Sequence, residues 1–530
     1  MEHLELLIPG LMISVAALSV LAGILDVPYP ILLVVGGLAL GFVPGVPDVT
    51  LDPDLVLALF LPPLLYSAAF FANLRDLRRD LRSISLLSVG LVLATTVTVA
   101  LVAHALVPAM PWAAAFALGA VVSPTDPLAA TTIARRVGAP RRFVNVIEGE
   151  SLVNDGTALV AYRAAVAAAV GQGFSLLDAS AAFVGGVAGG IAIGLVVGFL
   201  VAEVRRRLED PPIEITISLF TGYAAFLPAE QLGLSGVLAA VTAGIYLGWL
   251  APNISSPEMR MQGFAVWSTL IFLLNAVLFV LVGFQLPGIV DGLEGFSTGE
   301  VIGYAAAVCG AVIVTRIVWQ FALTGIIRAL DRRESQRARR APAAQIFLVG
   351  WAGMRGAVSL AAALAIPLET DAGAPFPNRD LIVFLAFAVI FVTLVLQGLS
   401  LPWLIRRLGV RDDGEEEREE LRARLAAARA ALERLDELAG ADWTRDDTVE
   451  RLRGMYDYRR RRFKARAGKI EDDGYEDRSQ RYQRLVRELI AAQRVAVVSL
   501  RNEGGISNDV MHRIERELDL EETRLEEQPG

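Results

Sequence analysis

The chain has 530 residues, 54% of them hydrophobic, with a formal net charge of −8 and a mean hydropathy of +0.50. That much apolar surface exceeds what a water-soluble chain of this length can bury, which points to a membrane protein rather than a soluble enzyme. The acidic balance argues against a nucleic-acid partner, and the single cysteine, Cys309, excludes an intrachain disulfide.

In chain order, Met1 to Leu25 is apolar but opens with Glu2, His3 and Glu5 instead of a basic leader, so it reads as a span and not as a secretory signal. A bilayer core needs about 20 mostly apolar residues per helix. Candidate spans fall near 4–23, 29–44, 54–72, 84–107, 112–134, 143–170, 180–204, 212–228, 234–251, 264–287, 299–328, 344–367 and 380–405, which gives about thirteen helices. The arginines test the parity. Arg75 to Arg82, Arg135 to Arg142, Arg205 to Arg207, Arg260, and Arg328 to Arg340 all fall in alternate connections, whereas 45–53, 171–179 and 288–298 hold no Lys or Arg and 368–379 holds only Arg379. The N-terminus is therefore expected outside and the C-terminus in the cytoplasm, in a cell membrane.

After Arg407 the composition switches to Glu, Arg and Ala, beginning Asp412-Asp413-Gly414-Glu415-Glu416-Glu417. Residues 1–410 are read as the membrane domain and 411–530 as a helical cytoplasmic tail. Leucines at 421, 425, 432 and 435 form one helical stripe, with further helical stretches near 446–468 and 478–500.

Span 112–134 carries Ser123-Pro124-Thr125-Asp126-Pro127 at its centre. Two prolines three apart remove amide donors, so the helix must unwind there. Unwound backbone at membrane depth is tolerated only when buried in protein or lining a wet cavity, where freed carbonyls can face an ion. A second break is expected at Gly350-Trp351-Ala352-Gly353-Met354-Arg355-Gly356, where three glycines and a permanent charge interrupt an apolar run. Paired broken helices suggest inverted repeats. Asp126 and Arg355 are expected to neutralise opposed half-helix ends, the anion near amides and the cation near carbonyls.

Span 143–170 contains Glu148-Gly149-Glu150-Ser151-Leu152-Val153-Asn154-Asp155-Gly156, where each charge costs roughly 3 kcal/mol without a partner. Glu150 and Asn154 are four apart, as are Ser151 and Asp155, so these polar groups share helix faces directed into the bundle. Sodium needs oxygen ligands to replace its water, by analogy with harder cations. Asp155, Ser151 and freed carbonyls near Thr125 are the candidates. Burial disfavours an ionised aspartate, so a proton competes with sodium for the same oxygens, and that competition is itself an exchange mechanism. Glu150 is paired with Arg316, in span 299–328, as a structural and orienting ion pair. Asn154 is expected to steer that pair or help hold Asp155.

These residues resemble the monovalent cation/proton antiporters of the sodium/proton exchanger branch, in their bacterial form. The likeness covers roughly residues 5 to 410 and rests on the Ser123 to Pro127 and Gly149 to Asp155 motifs, on Arg316 and on Gly353 to Gly356. It implies an all-α membrane protein, a homodimer of thirteen-helix protomers, each with a dimerisation domain and a core holding two crossed, discontinuous helices. It implies a cation or proton carried at Asp155, supported by Ser151, Thr125 and Asp126, with Glu150 and Arg316 as the buried pair. No cofactor is implied; the ligands are Na+ and H+. Asn154, where another branch has a second aspartate, suggests one titrating carboxylate and electroneutral one-for-one exchange. Many relatives place an acid soon after the run Pro62-Pro63-Leu64-Leu65-Tyr66, but Ser67 follows it here, which leaves Na+ against K+ or Li+ open.

The alternatives within this class are a K+/H+ antiporter and a cation channel. A membrane-embedded hydrolase is a rival of another class, and it needs a nucleophile with a base or a metal cluster. The three histidines, His3, His104 and His512, provide no such set within the membrane. Asn275, His104 and Arg163 are weaker candidates, Arg163 either snorkelling outward or shaping an external mouth.

Overall fold

The computed structural model of the protein describes residues 2–43, 53–171, 176–208, 210–293, 295–330, 342–412 and 414–526. It divides into two compact units, Met1–Asp412 and Asp413–Gly530. Among the described residues every extended element is helical.

The first unit follows the thirteen predicted spans. Its helices are α1 (Glu2–Leu25), α2 (Tyr29–Gly41), α3 (Pro53–Phe70), α4 (Leu74–Leu106), α5 (Trp112–Val122), α6 (Pro127–Val137), α7 (Arg141–Val170) and α8 (Leu176–Arg205). Then come α9 (Pro211–Gln231), α10 (Gly236–Ile254), α11 (Pro257–Phe284), the short α12 (Leu286–Asp291), α13 (Thr298–Leu330), α14 (Ala343–Trp351), α15 (Ala357–Leu364) and α16 (Arg379–Arg407). Among the described residues seven helices, counting the α5 and α6 halves together, are each long and apolar enough to cross a bilayer. The connection carrying Arg332 to Arg340 lies outside the described residues.

Helix α4 starts ten residues before its predicted span, because Asn73 caps it by accepting from the amides of Arg75 and Asp76, so the arginine-rich turns join the apolar ones. Two helices contain π-helical turns, Leu86–Leu91 in α4 and Thr393–Gln397 in α16. Hydrocarbon provides no hydrophobic drive between helices, so close packing must come from small residues. Gly37 of α2 lies against the Val280 carbonyl of α11 and Gly283 of α11 against that of Val34, a reciprocal contact that any Cβ would block. Gly244 and Gly248 of α10 likewise receive the carbonyls of Tyr66 and Phe70 at the end of α3.

Both expected breaks are present. Helix α5 ends at Val122 and α6 restarts at Pro127, whose missing amide suits the first helical position. Helix α14 ends at Trp351 and α15 begins at Ala357. The two breaks cross, and the Asp126 amide donates to the Met354 carbonyl at 2.9 Å.

The second unit consists of α17 (Glu415–Leu438), α18 (Asp446–Arg466), α19 (Tyr475–Asn502) and α20 (Asn508–Glu526). Leu421 is buried, and Leu425, Leu432 and Leu435 are half-buried. Helix α20 is an addition to the three tail segments expected from the sequence.

Candidate functional site

The crossing of the two breaks is built from half-helix ends, which leave amides and carbonyls without intrahelical partners. Asp126 caps α6, its Oδ1 accepting from the Leu128 amide at 2.8 Å. Its other oxygen lies over Gly356, where any Cβ would overlap it. Arg355, fully buried, serves the opposite ends. Its Nε donates to the Val122 carbonyl at the end of α5 at 3.1 Å, and its Nη1 donates to the Gly353 carbonyl. Its own amide donates to Thr393 Oγ1 at 3.1 Å, within the π-helical turn of α16. An anion thus lies at amides and a cation at carbonyls, as the helix dipoles favour.

Helix α7 passes this crossing with its polar face turned inward. Arg316 holds Glu150 through two nitrogens, Nη2 to Oε2 at 2.9 Å and Nη1 to Oε1, and Arg316 and Glu150 are 0% and 1% exposed. Gly353 admits the arginine stem, since a Cβ there would overlap Arg316 Cδ. The Thr125 hydroxyl donates to Glu150 Oε1 at 3.0 Å and accepts from Asn154 Nδ2 at 2.9 Å. Asn154 is therefore linked to the ion pair through Thr125. The Thr125 carbonyl accepts from Ser151 Oγ at 2.9 Å and from Asn154 Nδ2 at 3.3 Å, so the unwound segment is tied to α7.

Asp155 differs from every other charge in this group. Its carboxylate has no hydrogen bond or ion pair among the described residues and lines a cavity of about 340 Å³. Ser151, Thr125, Asp126, Asn275 and Ser67 line the same cavity. Ser67 donates its hydroxyl to the Leu64 carbonyl at 3.0 Å. At the rim lie exposed Phe71 and Arg135 and half-buried Glu148, the last two joined at 2.9 Å. Asp155, Asp126 and Ser151 give oxygens to one cavity whose walls are otherwise mostly apolar, and such a cluster suits a small cation that keeps part of its water.

The weaker candidates fall as follows. Asn275 lines the cavity, while its amide donates to its own helix at the Ile271 carbonyl. His104 contacts the Met110 carbonyl and stacks on Trp112, remote from the cavity residues. Arg163 pairs with Glu230. Sequence reasoning did not find Arg205 and Glu214, buried and 3.5 Å apart, with Ser255 accepting from the same guanidinium at 2.9 Å. Arg205 reads as one of three loop arginines, and only tertiary packing separates it from Arg206 and Arg207. The rim pair was equally hidden, although Glu148 belongs to the motif quoted above.

Residues 10–407 match the family described as sodium/hydrogen exchanger, transmembrane. Over 527 residues the chain is 39% identical to a Na+/H+ exchanger of Mycobacterium tuberculosis, covering 98% of this chain and 95% of that protein. It is 32% identical over 388 residues to the sodium, potassium, lithium and rubidium/H+ antiporter of Bacillus subtilis, covering 71% of this chain and 58% of that one. The solved sodium proton antiporter of Methanocaldococcus jannaschii superposes with a TM-score of 0.58 at 18% identity, over 76% of this chain and 98% of that chain, which shows a common fold.

Proposed function

Because the chain belongs to the sodium/hydrogen exchanger family, we propose that it is a multi-pass secondary transporter exchanging Na+ for H+ through the cavity beside Asp155. The observation that carries this reading is the contrast within α7, where Glu150 is saturated with partners and Asp155 has none among the described residues. A carboxylate that is shielded, unpaired and open to a cavity binds either a proton or a cation, since one charge cannot satisfy both. Ser151 supplies a second oxygen. Thr125 and Asn154 hold the unwound segment, and Asp126 and Arg355 neutralise the half-helix ends. Glu150 and Arg316 are structural.

One titrating carboxylate predicts electroneutral one-for-one exchange. With the arginine-rich connections in the cytoplasm of a cell membrane, the rim at Arg135 and Glu148 faces inward and the structure is the inward-open form of an alternating-access cycle. The working unit is a homodimer, with residues 1–410 as the transport domain and 411–530 as its cytoplasmic tail. Ser67 removes one acid from the cation path, and the Bacillus relative is named for four alkali cations, so K+ and Li+ are candidate substrates beside Na+.

Proteoliposomes holding a pH gradient test this. Added Na+ collapses the gradient, and an imposed membrane potential leaves the rate unchanged. A rate that follows the potential would refute the stoichiometry, and cation flux indifferent to the pH gradient would identify a channel instead.

A further inference from the structure

On α7 the cavity is lined by Glu148, Ser151, Leu152 and Asp155 and by no residue beyond Asp155. Glu148 at its rim lies seven residues before Asp155, about 10 Å along the helix, and Arg163 lies eight residues beyond it, about 12 Å the other way. Arg163 is not part of the cavity wall. It reaches from α7 to Glu230, near the end of α9.

Glu230 is fixed without help from Arg163. Its Oε1 accepts from the Gly236 amide at 3.0 Å, at the start of α10, while its other oxygen takes the arginine. A Cβ at residue 236 would lie 2.8 Å from the Glu230 Cγ, so only glycine admits the carboxylate at that helix end. Helices α3, α8 and α10 are interlocked around it, with Gly244 against the Tyr66 carbonyl and Gly190 against that of Ser235. Helix α7 is different. A methyl group added at Gly156 would rest in ordinary contact with Leu238 and Val237 of α10, so α7 lies on α10 there without interlocking. Glu230 therefore stays with α9 and α10, and Arg163 travels with α7.

We propose that Arg163 and Glu230 form the outer gate of the transporter, an ion pair that latches α7 onto α9 while the cavity is open at its other end and that must part for Asp155 to face outward. This rests on the antiport reading above. The pair is partly exposed, at 47% and 24% of the two side chains, and such pairs bias an equilibrium by about two- to fivefold. A bias of that size suits a latch that opens in every cycle.

The test places a single cysteine one turn beyond Asp155, as Leu159→Cys in a Cys309→Ser background of the full chain, and labels intact cells with a membrane-impermeant maleimide. Glu230→Gln keeps the acceptor for the Gly236 amide and removes only the charge. Glu230→Gln and Arg163→Gln are each expected to raise the labelling rate about two- to fivefold, and the double variant no further than either single. Impermeant salt outside the cells should raise labelling of the unsubstituted pair in the same direction, which needs no variant to fold. Unchanged labelling in both single variants, or additive effects in the double, would overturn the gate. Na+-driven proton movement by the cysteine parent is measured alongside. Its absence would defeat the antiport reading, whereas exchange with unaltered labelling defeats the gate alone.

Discussion

Two stretches of α7, five residues apart, treat a carboxylate in opposite ways. Around Glu150 every neighbour supplies a partner: two nitrogens of Arg316, the Thr125 hydroxyl, and Asn154 behind it. Around Asp155 the helix opens onto a cavity and no partner is offered among the described residues. Glu150 is fully buried and Asp155 half-buried, and what marks Asp155 as the proposed transporting group is its unspent binding capacity. Arg205 and Glu214 form a second buried pair outside the cavity lining, joined at 3.5 Å, and there Arg205 Nε and Nη1 have no hydrogen-bond partner among the described residues.

The contrast breaks most readily at the structural end. Arg316→Met strands Glu150 without its counter-charge and is expected to cost about 3–5 kcal/mol, seen as a large fall in Tm in detergent, while Asp155→Asn leaves Tm near that of the parent. Equal Tm values for the two variants would erase the distinction. Gly356→Ala drives a Cβ into Asp126 Oδ2 and is expected to cost about 1–3 kcal/mol with a matching loss of exchange, read by thermal melting and by proteoliposome flux. Competition at Asp155 gives the sign of the pH dependence. Protons occupy the sodium site as pH falls, so the apparent KM for Na+ rises by up to about tenfold per pH unit with the maximal rate preserved, and a KM flat in pH would contradict it. The smallest effect belongs to Ser151→Ala, which removes one oxygen and the tie to the Thr125 carbonyl; about 1 kcal/mol corresponds to about a fivefold rise in KM for Na+.

Much of this site was legible because it consists of anomalies. Prolines at 124 and 127, a charge at 355 and three carboxylates at 148, 150 and 155 are costly in an apolar run, and each cost points to a partner or a cavity. The assignment of Asp126 to amides and Arg355 to carbonyls needed only the helix dipole. The π-helical turn that brings Thr393 to Arg355 has no comparable mark, since Thr393-Leu394-Val395-Leu396-Gln397 is ordinary helix sequence. Glu230 also escaped notice, because its place at α10 depends on Gly236 and on a helix packed 67 residues from its partner Arg163. The pairing of Glu150 with Arg316 was legible from a second lone charge in span 299–328, whereas the Thr125 and Asn154 bridge that completes it is a property of tertiary contacts.

Proton release on cation binding tests the central claim most directly. When Na+ is added to the purified protein in weakly buffered detergent solution, the parent releases protons as sodium displaces them from Asp155, and Asp155→Asn, folded to the same Tm, releases none. Undiminished release from the Asn variant would place the exchanging group elsewhere.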